Sequence, residues 1–333
     1  MSPPSLDPAA WSTLAAFGIS SADVCLVALG NRGGFSGARL WRAEGAGGLY
    51  CLRAWPANGL RSDQLEPIHS LMSAARQRGL EFVPQIFATP SGSSWVERAG
   101  RLWDLTRWLP GQADFHDRPT AARLEAACSA LARLHISWAL TGERPTGCCR
   151  ALQTRLDRAR EWLALVATGW QPRSSGVASD PIEHLVRRAW TLVQPRIHTI
   201  PQRLAAWADR ALPLQPCLCD IWHDHVLFEG DRLTGIVDYG SVKIDHVAVD
   251  LARLLGSMAA DDAGLRAAGM SAYNRIRRLT EEEEGLVTAL DETGTQLAAA
   301  NWVLWVYRDG KAFEDTEEVA RRIGTIVERI AKW

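Results

Sequence analysis

The period of the hydrophobic residues changes at Pro110-Gly111, and this change constrains the fold more than any other feature of the 333-residue sequence. Before it, short apolar or alternating runs are separated by glycine turns. Val24 to Leu29 precedes Gly30-Asn31-Arg32-Gly33-Gly34-Phe35-Ser36-Gly37, then Ala38 to Ala43 alternates, a second glycine turn covers 45–48, and Leu49 to Trp55 follows. Strand, glycine turn, strand, glycine turn, strand predicts an antiparallel meander. Ser62 to Gln77 carries Leu65, Ile68, Leu71, Met72 and Ala75 on one helical face, and Pro67 predicts that the helix begins there rather than at Ser62. Residues 82–87, 93–97 and 101–109 read as further strands.

Beyond Pro110-Gly111 the pattern is helical, over 120–135, 151–165, 181–193, 200–211 and from 249 to the end. Thr280 and Glu283 have the spacing of a capping box at the head of the last region. One interruption stands out. The strand-like pieces 226–228 and 233–237 are joined by Glu229-Gly230-Asp231-Arg232, which reads as a hairpin turn. The layout predicts an α+β fold of two lobes, a sheet-rich one over 1–108 and a larger helical one over 109–333, with a ligand cleft between them.

Composition narrows the function. The net charge is −1 with no basic arm, so the electrostatic footprint of a nucleic-acid binder is missing. No apolar run approaches the roughly 18 to 20 residues that span a bilayer, and the first twenty residues lack a basic n-region and carry Asp7, which argues against a secretory signal. Seven scattered cysteines do not form a disulfide framework, so a cytoplasmic protein with reduced thiols is expected. The fifteen tryptophans read as core and interface packing.

The chemistry is concentrated in Leu218-Cys219-Asp220-Ile221-Trp222-His223-Asp224-His225-Val226-Leu227-Phe228 and Gly235-Ile236-Val237-Asp238-Tyr239-Gly240. Two aspartates, 18 positions apart, flank the hairpin, and the fold-back is expected to turn both carboxylates toward one cavity. Phosphoryl transfer from a nucleotide needs such a pair: one carboxylate orients and deprotonates the acceptor hydroxyl, and another oxygen ligand holds Mg²⁺ across the phosphates.

This stretch resembles the catalytic segment of the aminoglycoside phosphotransferase and choline kinase families, small-molecule kinases of protein-kinase-like fold. Their pattern runs roughly H-G-D-x-x-x-x-N-V-L-F, a turn, G-(I/V)-(I/V)-D-(F/W/Y)-G and a later D-L-A. Asp220, Val226 to Phe228, Gly235 to Gly240 and Asp250-Leu251-Ala252 match it, as do Ala130 to His135 and Leu109-Pro110-Gly111 elsewhere. The resemblance implies ATP as donor, a small-molecule hydroxyl as acceptor, Asp220 as catalytic base and Asp238 as the metal-binding carboxylate. It further implies that Gly33, Gly34 and Ser36 belong to the loop covering the phosphates.

Three positions depart from the pattern. His225 replaces a metal-binding Asn, and its imidazole suits Mn²⁺ better than it suits Mg²⁺. Leu218-Cys219 replaces His-Gly, removing a side chain that braces the loop. Arg53 stands where a phosphate-pairing Lys is expected, with Glu66 the best candidate for its helix partner. Asp250 reads as a cap or loop brace, Asp245 as either a supporting or a surface carboxylate, and His135 as a packed histidine. Two other readings follow from these residues. One is a nucleotide-binding protein of kinase-like fold with little catalysis. The other is a metal hydrolase built on His223 and His225, whose rings would share a face if the segment were a strand.

Overall fold

The computed structural model describes residues 7–20, 24–29, 37–141, 145–173, 180–313 and 315–333. In chain order the elements begin with α1 (Pro8–Ala16), β1 (Cys25–Ala28), β2 (Arg39–Gly45), β3 (Gly48–Ala54), α2 (Ser62–Gln77), β4 (Val96–Arg98), β5 (Arg101–Arg107) and α3 (Ala121–Ala139). There follow β6 (Thr146–Gly147), α4 (Arg150–Ala167), α5 (Asp180–Val193), α6 (Thr199–Leu204), β7 (Leu212–Pro213) and β8 (Gln215–Cys217). The chain continues through β9 (Val226–Glu229), β10 (Arg232–Ile236), β11 (Lys243–Asp245), α7 (Ala248–Met258), α8 (Ala263–Asn274), α9 (Glu281–Tyr307) and α10 (Thr316–Ala331).

These elements form two compact units. The first comprises residues 1–142 and 223–242, the second 143–222 and 243–333. The sheet-rich stretch 1–108 lies wholly within the first.

The first unit is built on an antiparallel sheet in the order β1-β2-β3-β5-β4. Alternation along β3 buries Tyr50, Leu52 and Ala54 on one face. Helix α1, which the sequence pattern did not reveal, brings Ala10, Leu14 and Phe17 to the same core as Trp41, Leu105 and Trp103. Asp7 starts it by accepting the Ala9 amide at 2.9 Å. Helix α2 begins at Ser62, not at Pro67. Pro67 lacks only the N–H that would meet the Asp63 carbonyl, and so near the exposed N-terminus water can serve that oxygen instead. Residues 82–87 form no strand; Ile86 makes a single bridge to Thr106.

The β9–β10 hairpin packs within this unit against α3. Its strands are sutured to the Pro110-Gly111 segment. Gln112 and Phe228 exchange backbone bonds at 3.0 and 2.9 Å, and the Thr234 hydroxyl donates to the Pro110 carbonyl at 2.6 Å.

The second unit is helical, with α9 packed against α4, α5, α6, α7 and α10. Its head carries the expected capping box: Thr280 Oγ1 accepts the Glu283 amide at 3.2 Å, and the Glu283 carboxylate accepts the Thr280 amide at 2.8 Å. Trp162, Trp170 and Trp190 pack edge to face or tilted within 6.4 Å of one another, as core packing requires. The seven cysteines carry free thiols. No described helix is long and apolar enough to cross a membrane.

Candidate active site

In the first unit, β10 ends at Ile236 and the chain turns sharply at Asp238, whose φ of 63° lies in the left-handed region. A non-glycine residue there costs of order 1–3 kcal/mol and persists only where its surroundings hold it. The hold on Asp238 is ionic. Arg53 Nη1, from β3, donates to Asp238 Oδ1 at 3.3 Å, and His225 Nε2 lies 3.7 Å from Oδ2. Burial works against the Asp238 charge, but Arg53 and then His225 outweigh it and keep the carboxyl below its ordinary pKa. Burial likewise opposes the Arg53 charge, and Asp238 and Asp104 overcome it to raise that pKa. The aspartate therefore carries an ionised oxygen on a partly open side chain, 42% exposed.

Arg53 is itself positioned by Trp55, the residue just past the end of its strand. Its guanidinium lies 4.7 Å from the Trp55 ring centroid. The indole of Trp55 donates to Asp104 Oδ2 at 2.6 Å, and His69 Nε2 lies 3.3 Å from the same oxygen. Gly240 completes the arrangement, because a Cβ there would sit 2.7 Å from the Trp55 ring. Glu66 takes no part in it. That carboxylate is exposed and accepts the Trp95 indole N–H at 3.0 Å, while the ionic neighbours of Arg53 are Asp238 and Asp104. The resemblance pointed to Glu66 and passed over His69, the buried residue three positions on.

In the second unit, Asp220 follows Cys219, whose φ of 62° is also left-handed. The resembling pattern has glycine at this place, and here the strain is held by Asp250 at the start of α7. Its Oδ1 accepts the Cys219 amide and its Oδ2 the Leu218 amide, both at 2.6 Å, from a fully buried position. Asp250 is thus the loop brace that Leu218 cannot be. Asp245 has a comparable task, accepting the Arg150 and Ala151 amides at 3.0 and 2.9 Å and so capping α4. Asp220 is ion-paired to Arg253 of α7, a partner that no motif announced.

His223-Asp224-His225 is a short 3₁₀ turn, not a strand, and its two rings go to different partners. His223 lies 4.0 Å from His116, ring to ring, and pairs with Asp224, whereas His225 faces Asp238. Gly33, Gly34 and Ser36 lie outside the described residues.

As chemistry, the first unit offers a hard anionic oxygen flanked by an imidazole and a fixed cation. The second offers a half-exposed carboxylate on a braced loop. Comparison with known proteins bears on what they serve. Residues 28–286 match the sequence model of the family described as "Phosphotransferase enzyme family". A homoserine kinase of Beijerinckia indica is 29% identical over 248 residues, covering 71% of this chain and 68% of that one. A homoserine kinase of Sinorhizobium medicae is 32% identical over 243 residues, covering 71% and 66%. Among solved structures, the aminoglycoside phosphotransferase from Alicyclobacillus acidocaldarius superposes with a TM-score of 0.61 at 15% identity, covering 99% of this chain and 95% of that one.

Proposed function

From the premise that the chain belongs to the phosphotransferase enzyme family and is a small-molecule kinase acting on a hydroxyl, we propose that it phosphorylates homoserine or a close hydroxy amino acid from ATP, with Asp220 as base. The observation that carries this reading is the pairing of Arg53 with Asp238. A cation fixed on the central sheet and an ionised carboxylate at the hairpin end are the two groups a metal–triphosphate needs. The acceptor rests on the relatives' names, and the cytoplasm as working compartment rests on the sequence reading.

The donor set fits a divalent cation. Asp238 would hold Mg²⁺ through its carboxylate, and His225 would add a nitrogen donor that also admits Mn²⁺. When bound, the ion neutralises phosphate charge. Arg53 then has two tasks: it orients Asp238 and presents a permanent positive charge to the phosphates. Asp220 accepts the hydrogen bond of the acceptor hydroxyl and takes its proton as the oxygen attacks. The braced backbone before Asp220 keeps that carboxylate from swinging away, which is how positioning lowers the barrier.

Asp220→Asn is expected to leave nucleotide affinity nearly intact and to cut turnover by roughly 10²-fold or more. Asp238→Ala is expected to weaken binding of the metal–nucleotide itself. Steady-state kinetics and nucleotide titration separate the two effects, and full activity in both variants would overturn the assignment.

A further inference from the structure

Asp104 of β5 is a buried carboxylate, 3% exposed, in the first unit. It stands directly opposite Arg53 in the β3–β5 ladder, where facing side chains share one side of the sheet and their Cβ atoms lie roughly 4.5–5.5 Å apart. Both residues also meet Trp55. The guanidinium lies 4.7 Å from the ring centroid, and the indole N–H donates to Asp104 Oδ2 at 2.6 Å. From α2, His69 Nε2 donates to the same oxygen at 3.3 Å, while its Nδ1 meets the Ser94 hydroxyl at 2.9 Å.

Neither donor carries a permanent charge. Among the described residues no lysine or arginine forms an ion pair with Asp104. Arg53 turns to Asp238 instead, through Nη1 alone at 3.3 Å. One guanidinium with five N–H donors thus stands between two carboxylates and engages one of them. A carboxylate that holds a metal cannot give the same oxygen fully to an arginine, and a half-buried arginine that loses its counter-ion is unfavourable.

We propose that Asp104 is the second counter-ion of Arg53: when Asp238 turns to a divalent cation, the guanidinium stays over Trp55 and leans on Asp104 across the ladder. The proposal rests on the reading of Asp238 as the metal-binding carboxylate. His69 and Trp55 act as positioning residues that hold Asp104 ready, from α2 and from the end of β3. Without the Asp104 charge, Arg53 has Asp238 alone, and an incoming cation must break that pair.

The test is calorimetric titration of Mn²⁺ in the presence of the non-hydrolysable analogue AMP-PNP, and of AMP-PNP without divalent cation. In Asp104→Asn the amide oxygen can accept both Trp55 and His69, so the contacts stay and only the charge goes. Mn²⁺ binding is expected to weaken by about 5- to 20-fold. Metal-free AMP-PNP should bind at least as well as to the wild type, because the cation remains and an anion is gone. His69→Leu should weaken Mn²⁺ binding less, and His69→Gln, whose amide can donate to Asp104, should stay within about 3-fold of the wild type. A merely structural role would weaken metal and metal-free nucleotide alike; that result, or unchanged Mn²⁺ affinity in Asp104→Asn, would overturn the proposal. Asp238→Ala separates the two readings. Loss of Mn²⁺ there with none in Asp104→Asn sinks the proposal and leaves the metal reading standing, whereas Mn²⁺ binding that survives Asp238→Ala removes both.

Discussion

Two backbone N–H groups just before Asp220 point at one buried carboxylate, that of Asp250. An Asn at 250 can offer one oxygen but turns an NH₂ toward the other amide, leaving two donors facing each other in a fully buried place. Asp250→Asn is expected to destabilise the protein by about 2–4 kcal/mol, seen in thermal unfolding, and to lower kcat more than the KM for ATP. At this scale the sequence was informative where a residue acts through its neighbours in the chain. Asp220, Asp238 and the D-L-A triplet could be singled out because they stand in the order and spacing of the resembling pattern. The Arg253–Asp220 pair spans 33 positions, a separation that no local pattern marks. That His69 rather than Glu66 turns inward, to Asp104, has a similar cause, since one helical face offers several polar positions and only packing decides which one is buried.

Among the elements, the hairpin was legible because Glu229-Gly230-Asp231-Arg232 is both polar and glycine-bearing, and because β-formers flank it. Residues 82–87 have comparable apolar character, yet Pro84 cannot donate to a ladder, and the segment makes one bridge instead of a strand. Helix α9 was legible from its capping box, and that box has a titration of its own. Burial opposes the Glu283 charge, but the His246 hydrogen bond, the Thr280 amide and Arg277 outweigh it and depress its pKa from 4.5 to about 2. A depressed carboxylate adds stability above its ordinary pKa and loses it as the pH falls through the folded value. At neutral pH the Glu283→Gln variant should therefore be less stable than the wild type by roughly 2 kcal/mol. The gap should narrow as the pH drops below about 4.5 and close near pH 2. Melting curves of both proteins over that range provide the check, and a pH-independent gap would remove the ionic explanation.

At the scale of the whole chain, the first compact unit is assembled from two separate stretches, 1–142 and 223–242. The change of period at Pro110-Gly111 was plain in the sequence, but the return of a distant hairpin to that place was not, because backbone bonds such as those between Gln112 and Phe228 leave no mark on side-chain patterning. Gly111 is one place where the two stretches meet closely. Its φ is 95°, and a Cβ there would fall 2.4 Å from the Thr234 hydroxyl and 2.7 Å from the Phe228 carbonyl oxygen. Gly111→Ala is expected to destabilise by roughly 2–4 kcal/mol, combining left-handed strain with a backbone that must give way, and a lowered urea midpoint with unchanged slope would confirm it. A ribosome makes this chain in one direction at roughly 5–20 residues per second. The amino-terminal stretch therefore leaves the tunnel unfinished and waits several seconds for residues 223–242, with Leu109 and Phe115 lacking the strands that will cover them. For this protein, the interval between the two stretches is the time in which a newborn chain most needs a chaperone.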